Sequence, residues 1–290
     1  MRAATAAAIL LGLSACGSAQ QAPTGPVDEA LQRESNAGQI AFQLERPEEA
    51  IARYEDALKR AQARDDLNAI GDIGFNLAVA ELEANHPDRA LEVARSTEQE
   101  VERRGGTPFS GLALVEATSL YRTGDREAAD ALARKAAAAG DKTVAARAMF
   151  LRGLIADERD DPPGLAAAAG ALKSATDPSL QADAVELQAR LSLRAKAYIP
   201  ARREAERAAA LRQKALDYRG MARALALGGE AARLGGDAAT ASDLFLRAGR
   251  SAAAQGDKTS ARQWLQESAS LATDNTVRSA AKELLKTLES

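Results

Sequence analysis

Gly38-Gln-Ile-Ala-Phe-Gln-Leu-Glu-Arg-Pro47-Glu-Glu-Ala50-Ile-Ala-Arg-Tyr54-Glu-Asp-Ala57 is the stretch whose reading decides the fold. Gly38 and Ala50 stand twelve residues apart, with a turn at Glu45-Arg46-Pro47 between them. Small residues at a fixed offset across a turn mark two helices packed too closely for larger side chains. The pairing recurs along the chain as Ala78/Ala90, Ala117/Ala129, Gly153/Ala166, Ala189/Ala201, Gly229/Ala241 and Gly249/Ala261. Gly153/Ala166 alone needs a thirteenth residue. A repeated helix-turn-helix unit of about 40 residues predicts an all-α solenoid, in which each unit buries its apolar face on its neighbours.

The turns carry matching chemistry. Gly124-Asp125, Gly236-Asp237 and Gly256-Asp257 combine a glycine suited to the left-handed helix end with an aspartate suited to capping the next helix. Pro47, Pro87 and Pro163 suit a first helical turn, where no amide donor is needed. Successive second-helix alanines lie 40, 39, 37, 35 and 40 residues apart, and then Ala241 to Ala261 is only 20. That half period predicts one helix over 238–254 serving two units. Helices over 258–272 and 275–288 follow, the last an amphipathic cap. The stretch Gly153 to Lys173 is degenerate and predicts a local irregularity.

These features resemble the tetratricopeptide repeat family. Ala50-Tyr54-Ala57 and Ala241-Phe245-Ala248 match the second-helix pattern of that family, over a resemblance spanning about residues 28 to 272. The first-helix Trp and closing Pro of the family are missing, and most units exceed its usual length. The resemblance implies a right-handed superhelix of six to seven units plus a terminal capping helix. It also implies a concave groove lined by the first helix of each unit.

Carrying the groove offsets onto this chain nominates Gln32, Ser35, Asn36, Gln39 and Phe42, then Asp72, Phe75, Asn76 and Val79, then Leu114, Thr118, Tyr121 and Arg122. Later units contribute Arg147, Phe150, Arg190, Arg194, Arg223 and Arg233. Asn36 and Asn76 are the candidate peptide-backbone contacts, since an amide offers both donor and acceptor. Ser35 and Gln39 stand where the family's carboxylate-binding lysines would be. An Arg-rich second half leads to the expectation that the acidic part of a partner segment lies near Arg190, Arg194, Arg223 and Arg233.

The N-terminus carries the second signal. Ala3 to Leu13 is an apolar run of signal-peptide length, too short to span a bilayer. It ends in Leu13-Ser14-Ala15-Cys16-Gly17, which resembles the lipobox of bacterial lipoproteins. That resemblance implies a signal peptide at 1–15, lipid on Cys16, a flexible tether over 16–27 and a solenoid over 28–290. Cys16 is the only cysteine, so no disulfide forms within the chain. Several acyl chains anchor firmly, at about 0.8 kcal/mol per buried methylene. The absence of Asp after Cys16 favours the outer membrane, facing the periplasm.

Composition narrows the function classes. The chain has 290 residues, a net charge of −3 and only 3% aromatics, with acids and bases interleaved rather than gathered into a nucleic-acid footprint. One His and one Cys cannot build a zinc cluster, so no metal or cofactor is expected. His86 sits in the turn Asn85-His86-Pro87-Asp88, and the paired acids Asp65-Asp66 and Asp160-Asp161 also fall at turns, where capping explains them. Gly164 to Ser174 is superficially similar to a phosphate loop but places Lys173 wrongly. No catalytic residue is nominated. The expectation is a lipid-anchored scaffold in envelope assembly, holding a protein or peptide partner. The alternative is an envelope enzyme, or a regulatory subunit of one such as a cell-wall hydrolase.

Overall fold

A computed structural model describes residues 28–288. Among them are fourteen α-helices and no strand. In chain order these are α1 (Glu29–Gln43), α2 (Pro47–Ala63), α3 (Leu67–Glu83), α4 (Pro87–Arg103), α5 (Ser110–Thr123), α6 (Arg126–Ala138) and α7 (Lys142–Glu158). There follow α8 (Pro162–Leu172), α9 (Pro178–Arg194), α10 (Tyr198–Lys214), α11 (Tyr218–Leu234), α12 (Ala238–Ala254), α13 (Lys258–Leu271) and α14 (Asn275–Thr287). The α-solenoid class expected from the repeats is the architecture observed. Cys16, the signal peptide and the tether lie outside the described residues.

The basic step is a 17-residue helix plus a three-residue turn. Helices α2, α3, α4, α7, α9, α10, α11 and α12 all have 17 residues. Most helices begin 20 residues after the previous one, as from Pro47 to Leu67 and from Tyr198 to Tyr218. The step falls to 16 from Ser110 to Arg126, Arg126 to Lys142 and Pro162 to Pro178. Four residues are about one helical turn, so their loss shortens the helix while nearly preserving which face is buried. This accounts for the shorter spacings in the middle of the chain. The expected irregularity after Gly153 is such a shortening, in the 11-residue α8.

One backbone device makes the turns. The residue two before each new helix is left-handed at Glu45, Asp65, Asn85, Gly124, Gly140, Asp160, Lys196, Leu216, Gly236 and Gly256. The next residue caps the new helix. Asp125, Asp237 and Asp257 accept from the amides of Ala128, Thr240 and Ser260. Asp66, Asp161 and Asp217 do the same at turns where no Gly-Asp motif announces it. The amide after the left-handed residue also returns to the preceding helix, as Asp237 to Ala232 O at 2.9 Å. Carbonyls that a helix end leaves open are met this way.

The contacts divide the described residues into two compact units, 28–148 and 149–288, with the division falling inside α7. Within each unit, consecutive helices pack on one another. The small residues work as expected. A Cβ on Gly38 would meet the Tyr54 ring at 2.7 Å, and one on Gly249 would meet Leu265 Cγ at 2.6 Å. Tyr54 is 3% exposed, and burial pushes its phenol up to about 12.

One expected pair is corrected. Gly153 does not face Ala166, which is exposed. It faces Ala168 Cβ at 3.0 Å and the Leu187 side chain at 2.7 Å. The residue twelve after Gly153 is Leu165, fully buried. Helix α12 also packs on both neighbours as expected, although that property is shared by its predecessors rather than peculiar to it.

Candidate functional site

Within each unit, alternate helices approach one another. Helix α3 touches α5 in the first unit, and α9 touches α11 in the second. These are the helices whose residues the repeat offsets nominate. After α11 the alternation moves on by one helix, and α12 touches α14.

In unit 28–148 the nominated residues divide by chemistry. Asn36 and Gln39 are exposed on α1, and Asn76 is half-buried on α3. The aromatics are in the core. Phe75 is 8% exposed and meets Phe109 edge-on, with centroids 4.9 Å apart and planes at 89°. Tyr121 is 1% exposed, with the Arg126 guanidinium 4.6 Å from its ring centroid. Arg122 is half-buried and donates to the Leu82 carbonyl at 2.5 Å, tying α5 to α3. Of the nominated residues, the amides Asn36 and Gln39 and the acid Asp72 are exposed, whereas Phe75 and Tyr121 are not available to a partner.

In unit 149–288 the arginines meet acids from their own chain. Glu186 of α9 is fully buried and accepts from three of them. Arg223 of α11 binds it with two atoms, Nε to Oε1 at 2.8 Å and Nη2 to Oε2 at 2.9 Å. Arg212 of α10 reaches Oε2 at 2.7 Å, and Arg190 reaches Oε1 at 3.1 Å. Arg212 also binds Asp183 at 2.8 Å and Asp217 at 2.5 Å. Arg190 binds Asp157 at 2.8 Å, and Arg194 binds both Asp157 and Asp160. Both Arg212 and Arg223 lie 5.4 Å from the centroid of the Phe150 ring.

Burial alone would raise the Glu186 pKa. The Arg223 and Arg212 charges outweigh it and hold this carboxyl well below the usual range. The same balance, with Arg190 and Arg194 as the cations, keeps Asp157 low. Four arginines and five carboxylates joined in this way present no positive surface. Arg233 lies apart, exposed and bound to Glu230 at 2.6 and 2.7 Å. The offsets located the arginines but not the acids facing them. Asp183, Glu186, Arg190 and Arg194 fall three to four residues apart, on one helical face, and that spacing was the available signal.

His86 caps α4 without a side-chain hydrogen bond to its amides. Its Nδ1 lies 2.9 Å from Oε2 of Glu81, itself 3% exposed. The pair borders an open surface cleft of about 570 Å³, lined also by Glu48, Glu55 and Asp88. Its lining contains no hydroxyl or thiol nucleophile. Among the described residues, no group of three or more His, Cys, Asp or Glu could hold a metal ion. No described helix is long and apolar enough to cross a membrane.

No family model matches the chain, and no curated protein matches it. Solved structures do resemble it. A tetratricopeptide repeat protein from Parabacteroides merdae aligns over 91% of this chain and 100% of its own, at 17% identity and a TM-score of 0.48. The pilF protein of Pseudomonas aeruginosa aligns over 83% of this chain and 98% of its own, at 19% identity and a TM-score of 0.47. The TPR2AB domain of yeast Sti1, solved as a complex with pHSP90, aligns over 90% and 98%, at 13% identity and a TM-score of 0.38. At these values the likenesses carry no argument about what this chain binds.

Proposed function

We propose that this chain is a lipid-anchored scaffold of the bacterial cell envelope, which holds a protein or peptide partner during assembly of an envelope complex. The observation that carries the reading is a lipidation-type Leu13-Ser14-Ala15-Cys16-Gly17 placed ahead of a helix array. Anchor and array have separate uses: acyl chains hold the membrane, while stacked helices offer a long surface without needing a reaction centre. The partner surface proposed is the one bearing Asn36, Gln39 and Asn76. Unlike Arg190, Arg194 and Arg223, whose charge is met from within the chain, these amides are open to a peptide backbone.

Two experiments test the two halves. Growth with an alkyne-tagged fatty acid labels the native protein, and Cys16→Ala abolishes the label and releases the chain from membranes. Label retained by that variant defeats the anchor. A photo-crosslinking residue at position 36, 39 or 76 captures one discrete partner in intact cells, whereas the same group at exposed Lys59 does not. Equal capture at both places removes the groove assignment. Robust turnover of an envelope substrate by the purified chain would favour the enzyme reading instead.

A further inference from the structure

Helix α10 keeps three cations that no acid of the described chain engages. Arg203, Arg207 and Lys214 are exposed, and among the described residues no carboxylate pairs with them. The other charges of the helix are engaged. Arg202 pairs with Glu206 at 3.1 Å, Arg212 lies in the Glu186 cluster, and Glu204 accepts from Ser192 at 2.7 Å. Spacings of four and seven residues put the three free cations within about 40° of one another around the helix axis, along about 16 Å. Ile199, four residues before Arg203, continues that line into the first turn. Leu216 stands just past the last turn. Ile199 and Leu216 are 62% and 65% exposed, the most exposed large apolar residues among those described. Leu216 also holds a left-handed φ of 58°, a strain that burial does not offset, so folding alone does not account for a leucine there.

We propose that this face of α10 docks an acidic helix of a partner protein, with carboxylates against Arg203, Arg207 and Lys214 and apolar ends against Ile199 and Leu216. Charge complementarity and spacing select the occupant. A partner helix repeats the same rise and turn, so acids spaced four and seven apart on it meet all three cations at once. An extended strand does not. The step of about 10 Å from Arg207 to Lys214 is about three residues of strand, and an odd step turns one acid to the far side. The apolar residues stand at the two ends of the strip and bracket a segment of about 25 Å, the length of α10. A bilayer of anionic headgroups sets no such length. The inference rests on the scaffold reading for its protein partner, and extends it to a surface that does not involve Asn36, Gln39 or Asn76. Acidic recognition then falls to cations that stay open, in place of Arg190, Arg194 and Arg223, which the chain neutralises itself.

The test uses the purified full chain and a fluorescent helical peptide rich in alanine and glutamine, as long as α10. It carries three glutamates spaced four and seven apart and a leucine at each end. Anisotropy is expected to report binding that weakens with salt. The double variant Arg203→Glu, Arg207→Glu is expected to bind on the order of tenfold less tightly. Leu216→Gly also weakens binding while raising the urea midpoint of unfolding, a combination that loss of fold cannot produce. An isomeric peptide with its glutamates scattered around the helix binds less tightly. No binding of the first peptide, equal binding of its isomer, or binding unmoved by the α10 variants overturns the proposal. Phosphatidylglycerol vesicles that retain the native chain and lose the double variant, with the peptide unbound, assign the strip to lipid and overturn it too. Should the double variant fail to fold, Arg207→Gln decides. Partner capture in cells at positions 36, 39 and 76 is independent of these outcomes, so failure here leaves the scaffold reading standing.

Discussion

Two residues carry consequences out of proportion to their size. Gly249 faces Leu265 so closely that an added Cβ would lie 2.6 Å from its Cγ and 3.2 Å from its backbone nitrogen. The leucine side chain can turn, but its backbone cannot retreat without parting α12 from α13. Gly249→Ala is expected to cost about 1–3 kcal/mol, read as a lower urea midpoint of unfolding. Leu216 has the opposite fault. It holds a left-handed φ of 58° with its side chain 65% exposed, so it bears the strain and gains little burial. Leu216→Gly is expected to raise stability by about 0.5–1 kcal/mol, measured the same way. The close approach at Gly249 was legible in the spacing to Ala261. The strain at Leu216 was not, because nothing in a leucine announces a left-handed turn.

At the scale of the element, helix and turn are set by local chemistry, and local chemistry was readable. The expected helix over 238–254 is α12, and those over 258–272 and 275–288 are α13 and α14 to within a residue. Asp257 caps α13 through the Ser260 amide at 3.0 Å. Asp257→Ala is expected to cost about 1 kcal/mol, and to speed amide exchange in the first turn of α13 before the rest of the helix. What escaped the reading was the 20-residue step. Its left-handed position is filled by Gly at some turns and by Glu, Asp, Asn, Lys or Leu at others, so no single residue type marks it. The misplaced partner of Gly153 has the same origin. The spacing points to Ala166, whereas the packing of the shortened α8 brings Ala168 against Gly153.

At the scale of the whole molecule, the Glu186 carboxylate of unit 149–288 neutralises arginines from α9, α10 and α11 at once. Glu186→Gln removes the one carboxylate that Arg190, Arg212 and Arg223 share at the buried centre of the cluster. It is expected to cost about 3–5 kcal/mol, seen as early unfolding of this unit in a denaturant series followed unit by unit. The native cluster keeps its contribution above the unfolded carboxylate range and loses it only as strong acid protonates Glu186. Mild acid is thus expected to leave this unit unchanged, which hydrogen exchange measured at pH 5 and pH 8 checks.

By itself the sequence determined that the chain is a helix array, where most helices begin and end, and at which small residues neighbouring helices come close. Those properties depend on spacing of 3.6 residues per turn and on capping chemistry, both local along the chain. The tertiary structure alone decided which charges remain for a partner. Arg190, Arg194 and Arg223 look cationic in the sequence, yet Asp157, Asp160 and Glu186 approach them from up to 37 positions away. An electrostatic field depends on distance through space, which one-dimensional spacing does not contain.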